Sequence, residues 1–206
     1  MNFGLDSRLY KIGIILKDII AISFVWVLFS LPIVTIGAST AASYYCMTRK
    51  LSDRDGYFFK DYLKSFKENL ARATVIFLVL SAILFIVVWN ILLPAEFGTV
   101  FNIIVRVAQW LVVIQLTFVF MYAFPLIARF ELSIKDCIKA AFLMANRYLI
   151  ATLTILAFFL IIVLSSVFFW MITPFIIGIY IYASSIMFLK VFKKHYPGFD
   201  APESDS

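Results

Sequence analysis

Long apolar runs separated by short charged segments dominate the chain. The most continuous runs cover residues 73–93, 107–128 and 149–173, and shorter ones cover 19–31 and 179–189. A helix rises about 1.5 Å per residue, so about 20 apolar residues cross a hydrocarbon core of about 30 Å. The pattern therefore predicts an all-α, polytopic membrane helix bundle.

The segment 29–72 connects the first two runs and has a different pattern. Pro32 cannot donate a helical hydrogen bond and disfavours helical geometry in the preceding residue, so we expect the first helix to end there. Gly37 is predicted to release the chain into a second helix over residues 38–51. The start of that helix is rich in Ala, Ser and Thr, which let membrane helices approach closely. We expect a tight packing seam, and the lining of a pathway is the alternative.

Residues 57–70 have the periodicity of an amphipathic helix. Apolar side chains at Phe59, Leu63, Phe66 and Leu70 share one face, and charged side chains occupy the others. This pattern is typical of a helix that lies along the membrane surface. A surface that docks another protein is the alternative.

A second amphipathic helix is predicted to begin at Ser133. Ser133 and Asp136 have the spacing of a capping box, which marks a helix start. The apolar positions of one face are Ile134, Cys137, Ile138, Ala141 and Ala145. The sequence thus predicts two interfacial helices on the cytoplasmic side.

The two amphipathic helices share a motif, which we call the KD motif. Residues 60–64 read KDYLK and are followed by Arg72, and residues 135–139 read KDCIK and are followed by Arg147 at the same spacing. The match indicates an internal duplication of a unit made of a surface helix and a hairpin. The charged residues of both motifs are the candidate partner-docking residues: Lys60, Asp61, Lys64, Lys135, Asp136 and Lys139.

Three pairs of proline and glycine residues are predicted to reverse the chain. They are Pro32 with Gly37, Pro94 with Gly98, and Pro174 with Gly178. A proline stops the outgoing helix, and a glycine permits the reversal. Three such turns predict three helical hairpins with six crossings.

The distribution of positive charge favours this topology. Three hairpins place 17 of the 18 Lys and Arg residues on one side of the membrane, with Arg106 on the other. Positive charge marks the cytoplasmic side, so both termini are predicted in the cytoplasm of a cell-membrane protein. A five-span alternative, in which residues 19–47 cross once, keeps 14 basic residues together. Residues 33–47 form only about 22 Å of helix, so the first hairpin is either shallow or a short full crossing.

Composition agrees with a membrane location. Hydrophobic residues make up 64% of the chain, whereas a soluble domain has about 45–50%. The net charge of +6 is confined to segments between apolar runs, so the lipid bilayer rather than nucleic acid is the expected partner. Cys46 and Cys137 give no disulfide framework, and we expect both to be buried free thiols.

No catalytic or metal-binding motif occurs in the sequence, and we expect neither an enzyme nor a cofactor. The single histidine, His195, opens a segment, 195–206, that is predicted to be a disordered cytoplasmic tail after one membrane domain, 1–194. The polar residues deepest in the apolar runs are Asn90, Gln109 and Gln115. They are predicted either to hydrogen-bond helices to each other or to line a substrate path.

Two blocks of sequence resemble a known family. Residues 31–70, LPIVTIGASTAASYYCMTRKLSDRDGYFFKDYLKSFKENL, and residues 122–147, YAFPLIARFELSIKDCIKAAFLMANR, are similar to the YesL-like family of bacterial multi-pass membrane proteins, the domain of unknown function 624. The resemblance implies a small membrane protein encoded near sugar-importing ABC transporters and carbohydrate sensor kinases. It supplies no catalytic residue.

Two functions are compatible with these features. The first is an accessory or scaffold subunit that binds a sugar ABC-transporter permease or a sensor kinase through its amphipathic helices. The second is a small transporter or substrate-capture subunit with a pathway between the hairpins, since short broken helices and internal repeats are common in transporters. A continuous polar cavity near Asn90 or Gln115 favours the second, and a filled core favours the first.

Overall fold

The computed structural model describes residues 8–52, 57–93, 99–168 and 173–195. These residues form seven α-helices and a short 3₁₀ turn, without any β-strand, so the predicted all-α class is confirmed. The helices are α1 (Arg8–Ser30), α2 (Ile36–Leu51), α3 (Phe58–Leu92), α4 (Thr99–Arg129), α5 (Ile134–Arg147), α6 (Leu149–Phe168) and α7 (Thr173–His195).

The helices pair as three antiparallel hairpins, α1 with α2, α3 with α4, and α6 with α7. Side-chain contacts fix the antiparallel order: Asp18 with Lys50 and Trp26 with Ser39 in the first, Phe77 with Phe120 and Asn90 with Gln109 in the second, Tyr148 with His195 and Phe159 with Tyr180 in the third. The three predicted hairpins are confirmed.

Four helical segments in the described residues are long and apolar enough to cross a membrane. They are Ile12–Ser30, Phe58–Leu92, Val100–Arg129 and Phe175–His195, and the bent pair of α5 and α6 is a possible fifth. Helix α2 has only 16 residues, or about 24 Å, which is short for a crossing. Six helices long enough for a full crossing are therefore not found among the described residues, and α2 is the short member of the first hairpin.

Helix α2 lies at the centre of the bundle and contacts α1, α3, α4 and α7. Its small residues Ala38, Ser39, Ala41, Ala42 and Ser43 are fully buried. Because lipid is as apolar as the helices, close backbone approach at small residues is what favours their association. The predicted packing seam is confirmed.

The turn between α1 and α2 contains Pro32 and the 3₁₀ segment Ile33–Thr35. The Thr35 hydroxyl lies 2.7 Å from the carbonyl oxygens of both Phe29 and Pro32. It thereby offers a donor to carbonyl groups that the helix end leaves without one. The predicted stop at Pro32 is confirmed.

Gly37 and Gly178 do not reverse the chain, and these two predictions are wrong. Gly37 lies in the first turn of α2, and Gly178 lies inside α7. A Cβ atom on Gly37 would stand 2.6 Å from the Ala73 carbonyl oxygen, and one on Gly178 would collide with the Ser23 hydroxyl. Both glycines therefore serve close helix packing.

Pro174 also lies within a helix, in the first turn of α7. That position suits proline because the first N–H groups of a helix have no intrahelical acceptor. Its predicted role as a turn residue is wrong. Two further predictions lie outside the described residues: the turn at Pro94 and Gly98, and the tail beyond residue 195. His195 itself is the last residue of α7.

Helix α3 is continuous over 35 residues, so the separate surface helix predicted over residues 57–70 is wrong. Phe59 and Leu70, which belong to its predicted apolar face, are 53% and 37% exposed on the surface of the bundle. The buried stripe instead runs without a break along Tyr62, Ser65, Asn69, Ala73, Ile76 and Leu80. The amphipathic turns are thus the beginning of a spanning helix.

Helix α5 is a separate amphipathic helix, as predicted. The Ser133 hydroxyl oxygen accepts from the Asp136 backbone N–H at 3.2 Å, and Cys137, Ala141 and Ala145 are buried. The chain then bends by 99° into α6. A helix that turns across the end of a bundle in this way is suited to the membrane surface.

Candidate functional site

The charged ends of three helices, α2, α3 and α4, meet at one end of the bundle. Arg49, near the end of α2, pairs with Asp61, in the first turn of α3, at 3.7 Å. The guanidinium groups of Arg49 and Arg129, the last residue of α4, lie 6.0 and 5.8 Å from the centre of the Tyr45 ring. The structure therefore gathers these basic residues, as the charge pattern predicts.

Arg72 extends this charged end toward α5, and Arg106 lies at the opposite end. Arg72 Nη1 contacts the Leu132 carbonyl oxygen, just before α5, at 3.5 Å. Arg106 Nη2 donates to the Leu93 carbonyl oxygen at the end of α3, at 2.8 Å. Residues 72 and 93 are about 30 Å apart along the helix. Arg106 is thus separated from the basic cluster, as expected.

The six predicted docking residues divide into outward lysines and structural aspartates. The four lysines are exposed: Lys60, Lys64, Lys135 and Lys139. Asp61 pairs with Arg49, and Asp136 accepts from the Ser133 hydroxyl at 2.6 Å. The aspartates therefore hold helix starts in place, and the lysines remain for other partners.

The third residue of each KD motif points into the protein. Tyr62 and Cys137 have no exposed surface. The Tyr62 hydroxyl shares a 2.7 Å hydrogen bond with the Ser39 hydroxyl, and Cys137 Sγ donates to the Ala123 carbonyl oxygen at 3.4 Å. Burial raises the pKa of the Cys137 thiol to about 12, so it stays protonated at neutral pH.

The three predicted intramembrane polar residues separate into a pair and a single side chain. Gln109 donates to Asn90 Oδ1, which joins α4 to α3. Gln115 lies deeper, and its amide nitrogen is buried without a hydrogen-bond partner among the described residues. The structure therefore brings Asn90 and Gln109 together as interhelical partners and leaves Gln115 apart from them.

A set of hydroxyl contacts between helices was not predicted. The pairs are Trp26 with Thr40, Tyr44 with Ser184, and Tyr122 with Thr152, each at 3.0 Å. The abundance of hydroxyl side chains on α2 was visible in the sequence. Their partners were not, because they lie up to 140 residues away along the chain.

Aromatic rings fill the centre of the bundle. Phe188 meets the rings of Tyr44 and Tyr122 edge-on, with centroids 5.5 and 5.1 Å apart. A cavity of about 280 Å³ beside them has an almost entirely apolar wall that includes Trp26 and Phe159. In the described part of the chain no three His, Cys, Asp or Glu side chains are grouped as metal ligands.

Helices α1, α2 and α3 coincide with a region shared with other proteins. Residues 19–91 match the family model described as "Protein of unknown function, DUF624". This segment is therefore similar to that family. The match confirms the predicted family resemblance for this part of the chain. Comparisons with curated proteins and with solved structures return no match.

The segment that matches the DUF624 model contains the structural centre of the molecule. It includes most of the first hairpin, the buried seam of α2, the close contact at Gly37 and the first KD motif. The second KD motif, on α5, lies beyond the matched residues. The four spanning helices make the chain a membrane protein, and the family description leaves its molecular activity open.

Proposed function

We propose that this protein is a membrane scaffold or accessory subunit that docks a carbohydrate-import permease or a carbohydrate sensor kinase. The start of α3 carries the proposal, because Lys60 and Lys64 lie there beside exposed aromatic residues. Tyr57 is 84% exposed and Phe59 is 53% exposed. Aromatic side chains are enriched at protein interfaces relative to the rest of the surface, and the rim of an interface is polar. We call these four residues the α3 docking surface.

The interior of the bundle supports a scaffold better than a transporter. The aromatic contacts of Phe188 with Tyr44 and Tyr122 occupy the space between α2, α4 and α7. Asn90 and Gln109 bond to each other instead of facing a polar cavity. A pathway between the hairpins is the alternative function, and it requires these groups to separate during a transport cycle.

The carbohydrate class of the partner comes from the family resemblance, and the location of the docking surface comes from the geometry. By the positive-inside rule, the end that carries Arg49, Lys50, Arg72 and Arg129 faces the cytoplasm of a cell-membrane protein. The α3 docking surface lies at that same end. A permease or a kinase with a cytoplasmic acidic surface fits it.

Site-specific photocrosslinking in cells tests this proposal. A photoreactive amino acid at Phe59 should crosslink to a permease or kinase, whereas the same probe at Val100, at the opposite end of the bundle, should not. The double substitution Lys60→Gln with Lys64→Gln should lower the yield of that crosslink about tenfold, since each lost interfacial charge contact costs about 0.7 kcal/mol. Crosslinks from Phe59 to lipid alone would contradict the proposal.

A further inference from the structure

A groove of about 640 Å³ runs between α3, α4 and α5 on the outside of the bundle. Helices α3 and α4 supply a wall that is apolar except for Gln115, and α5 closes one end. The apolar residues that line the groove include Val79 and Ile83 of α3, Val112 and Leu116 of α4, and Ile138 and Phe142 of α5. Val79, Ile83 and Val112 are 42%, 41% and 44% exposed, so the groove opens to the surroundings of the spanning helices.

Two lysines stand at the α5 end of this groove. Lys135 and Lys139 both line it, because residues four apart lie on the same face of a helix. Both are exposed, and neither forms an ion pair within the described residues. No acidic side chain lines the groove. This end is therefore positively charged and lacks an internal counter-ion.

The groove extends from the charged end into the apolar part of the bundle. Arg72 contacts Leu132, which places the start of α5 near the level of residue 72 of α3. Ile83 lies 11 residues further along α3, or about 16 Å deeper. The polar and apolar parts of the groove thus follow the order of the headgroup and hydrocarbon layers of a bilayer.

We propose that this groove binds an anionic phospholipid, with the phosphate on Lys135 and Lys139 and an acyl chain along α3 and α4. The unneutralised lysine pair selects a negative headgroup. The apolar wall lies on spanning helices at a depth where acyl chains surround the protein, so a lipid reaches it without leaving the bilayer. The proposal does not depend on the partner of the α3 docking surface.

Native mass spectrometry of the full-length protein in detergent tests the headgroup contact. The probes are phosphatidylglycerol and phosphatidylcholine with identical acyl chains. We expect one phosphatidylglycerol to bind more tightly than phosphatidylcholine. The pair Lys135→Gln with Lys139→Gln should weaken phosphatidylglycerol binding about 30-fold, or about fivefold per lysine, and leave phosphatidylcholine unchanged.

The matched control is the pair Lys60→Gln with Lys64→Gln, which removes the same charge from the other KD motif. It should leave phosphatidylglycerol binding unchanged. An equal loss in the two double variants would show diffuse attraction to net charge and would overturn the proposal. Equal binding of both lipids to the natural protein would overturn it as well.

A substitution that fills the groove tests the acyl-chain contact independently. Val112→Trp places a large side chain in the groove, whereas Leu111→Trp changes the neighbouring residue, which is 62% exposed and does not line it. Only Val112→Trp should abolish tight phosphatidylglycerol binding. Retention of binding in Val112→Trp, or displacement of the lipid by millimolar inorganic phosphate, would mean that the lysines act alone and would overturn the proposal.

Discussion

The two KD motifs begin alike and end differently. In both motifs the lysines are exposed, and the third residue, Tyr62 or Cys137, has no exposed surface. After the first motif the chain continues as one helix of 35 residues. After the second motif it bends by 99° between α5 and α6. The motif therefore determines which face is buried, and other residues determine whether the helix continues.

The continuous helix is explained by its contact with α2. The residue of α3 that corresponds to Tyr148 in the repeat is Ala73, which is fully buried. Its carbonyl oxygen faces Gly37 so closely that even a Cβ atom would not fit between them. A bulky residue at position 73 would separate α2 from α3. The repeat unit that contains α3 therefore needs a small residue here and a continuous helical backbone.

The bend is stabilised by hydroxyl groups. Tyr148 ends α5 with φ −113° and ψ 51°. The Thr152 hydroxyl lies 2.8 Å from the Ala145 carbonyl oxygen, which is at the end of α5, and 3.0 Å from the Tyr122 hydroxyl. The Thr152 hydroxyl thus donates to a carbonyl group in the last turn of α5, where carbonyl groups lack helical N–H donors. The residue of α3 that corresponds to Thr152 is Phe77, which has no hydroxyl.

The largest effect is expected for Gly37→Leu, which attacks the contact that keeps α3 continuous. The new side chain meets the Ala73 backbone, Phe77 and Phe124, all within 2.9 Å of its Cβ position. We expect a loss of about 3 kcal/mol in the free energy of unfolding, measured in mixed micelles, because the leucine side chain fits only if the backbone of α3 shifts away from α2.

Gly13→Ala is the matched control for Gly37→Leu. A Cβ atom on Gly13 has no neighbour within 4 Å. Alanine should therefore stabilise α1 by up to about 1 kcal/mol through its higher helix propensity. Equal losses in the two variants would contradict the assigned role of Gly37.

A smaller loss is expected for Thr152→Val, which removes the hydroxyl at the bend. The Ala145 carbonyl and the Tyr122 hydroxyl both lose a partner, so the free energy of unfolding should fall by about 1–2 kcal/mol. Thr154→Val is the control, because the Thr154 hydroxyl bonds to the Ile150 carbonyl of its own helix, at an exposed site, and to no other helix among the described residues. Indistinguishable unfolding curves for the two variants would argue against a role of Thr152 at the bend.

Tyr62→Phe should have a weaker effect on the first KD motif. It removes the hydrogen bond to Ser39 but keeps the ring that packs against Phe29, with centroids 5.4 Å apart. Hydrogen bonds between membrane helices contribute about 0.6 kcal/mol on average, so a loss of that size is expected. Tyr57→Phe, at an 84% exposed position, should leave stability unchanged. A loss above about 2 kcal/mol would indicate that Tyr62 also determines the packing of α2.

The smallest perturbation is chemical labelling of the two natural cysteines. Both are free and buried, and burial keeps the Cys137 thiol protonated at neutral pH. A maleimide should therefore label neither cysteine at an appreciable rate until the protein is denatured. Rapid labelling of Cys137 alone would show that α5 detaches from α4 at the bend. Cys46 serves as the internal comparison, because it lies on the side of the repeat in which the helix is continuous.

The sequence predicts the order of the helices well because apolar runs and Pro32 act locally. It does not distinguish a glycine that turns the chain from one that packs, since Gly37 and Gly178 owe their roles to Ala73 and Ser23 on other helices. The periodicity of residues 57–70 is also the same whether the helix ends or continues. The KD lysines were predicted as a site, but the groove beside Lys135 and Lys139 depends on α3 and α4 and has no local signal.

The central claim is that both KD motifs lie at one end of the bundle and face the same side of the membrane. Single cysteines in place of Lys60, Lys135 and Val100 test it with a membrane-impermeant maleimide on intact and permeabilised cells. We expect labelling of Val100→Cys in intact cells, and of Lys60→Cys and Lys135→Cys only after permeabilisation. Labelling of Lys60→Cys and Lys135→Cys from opposite sides would contradict it.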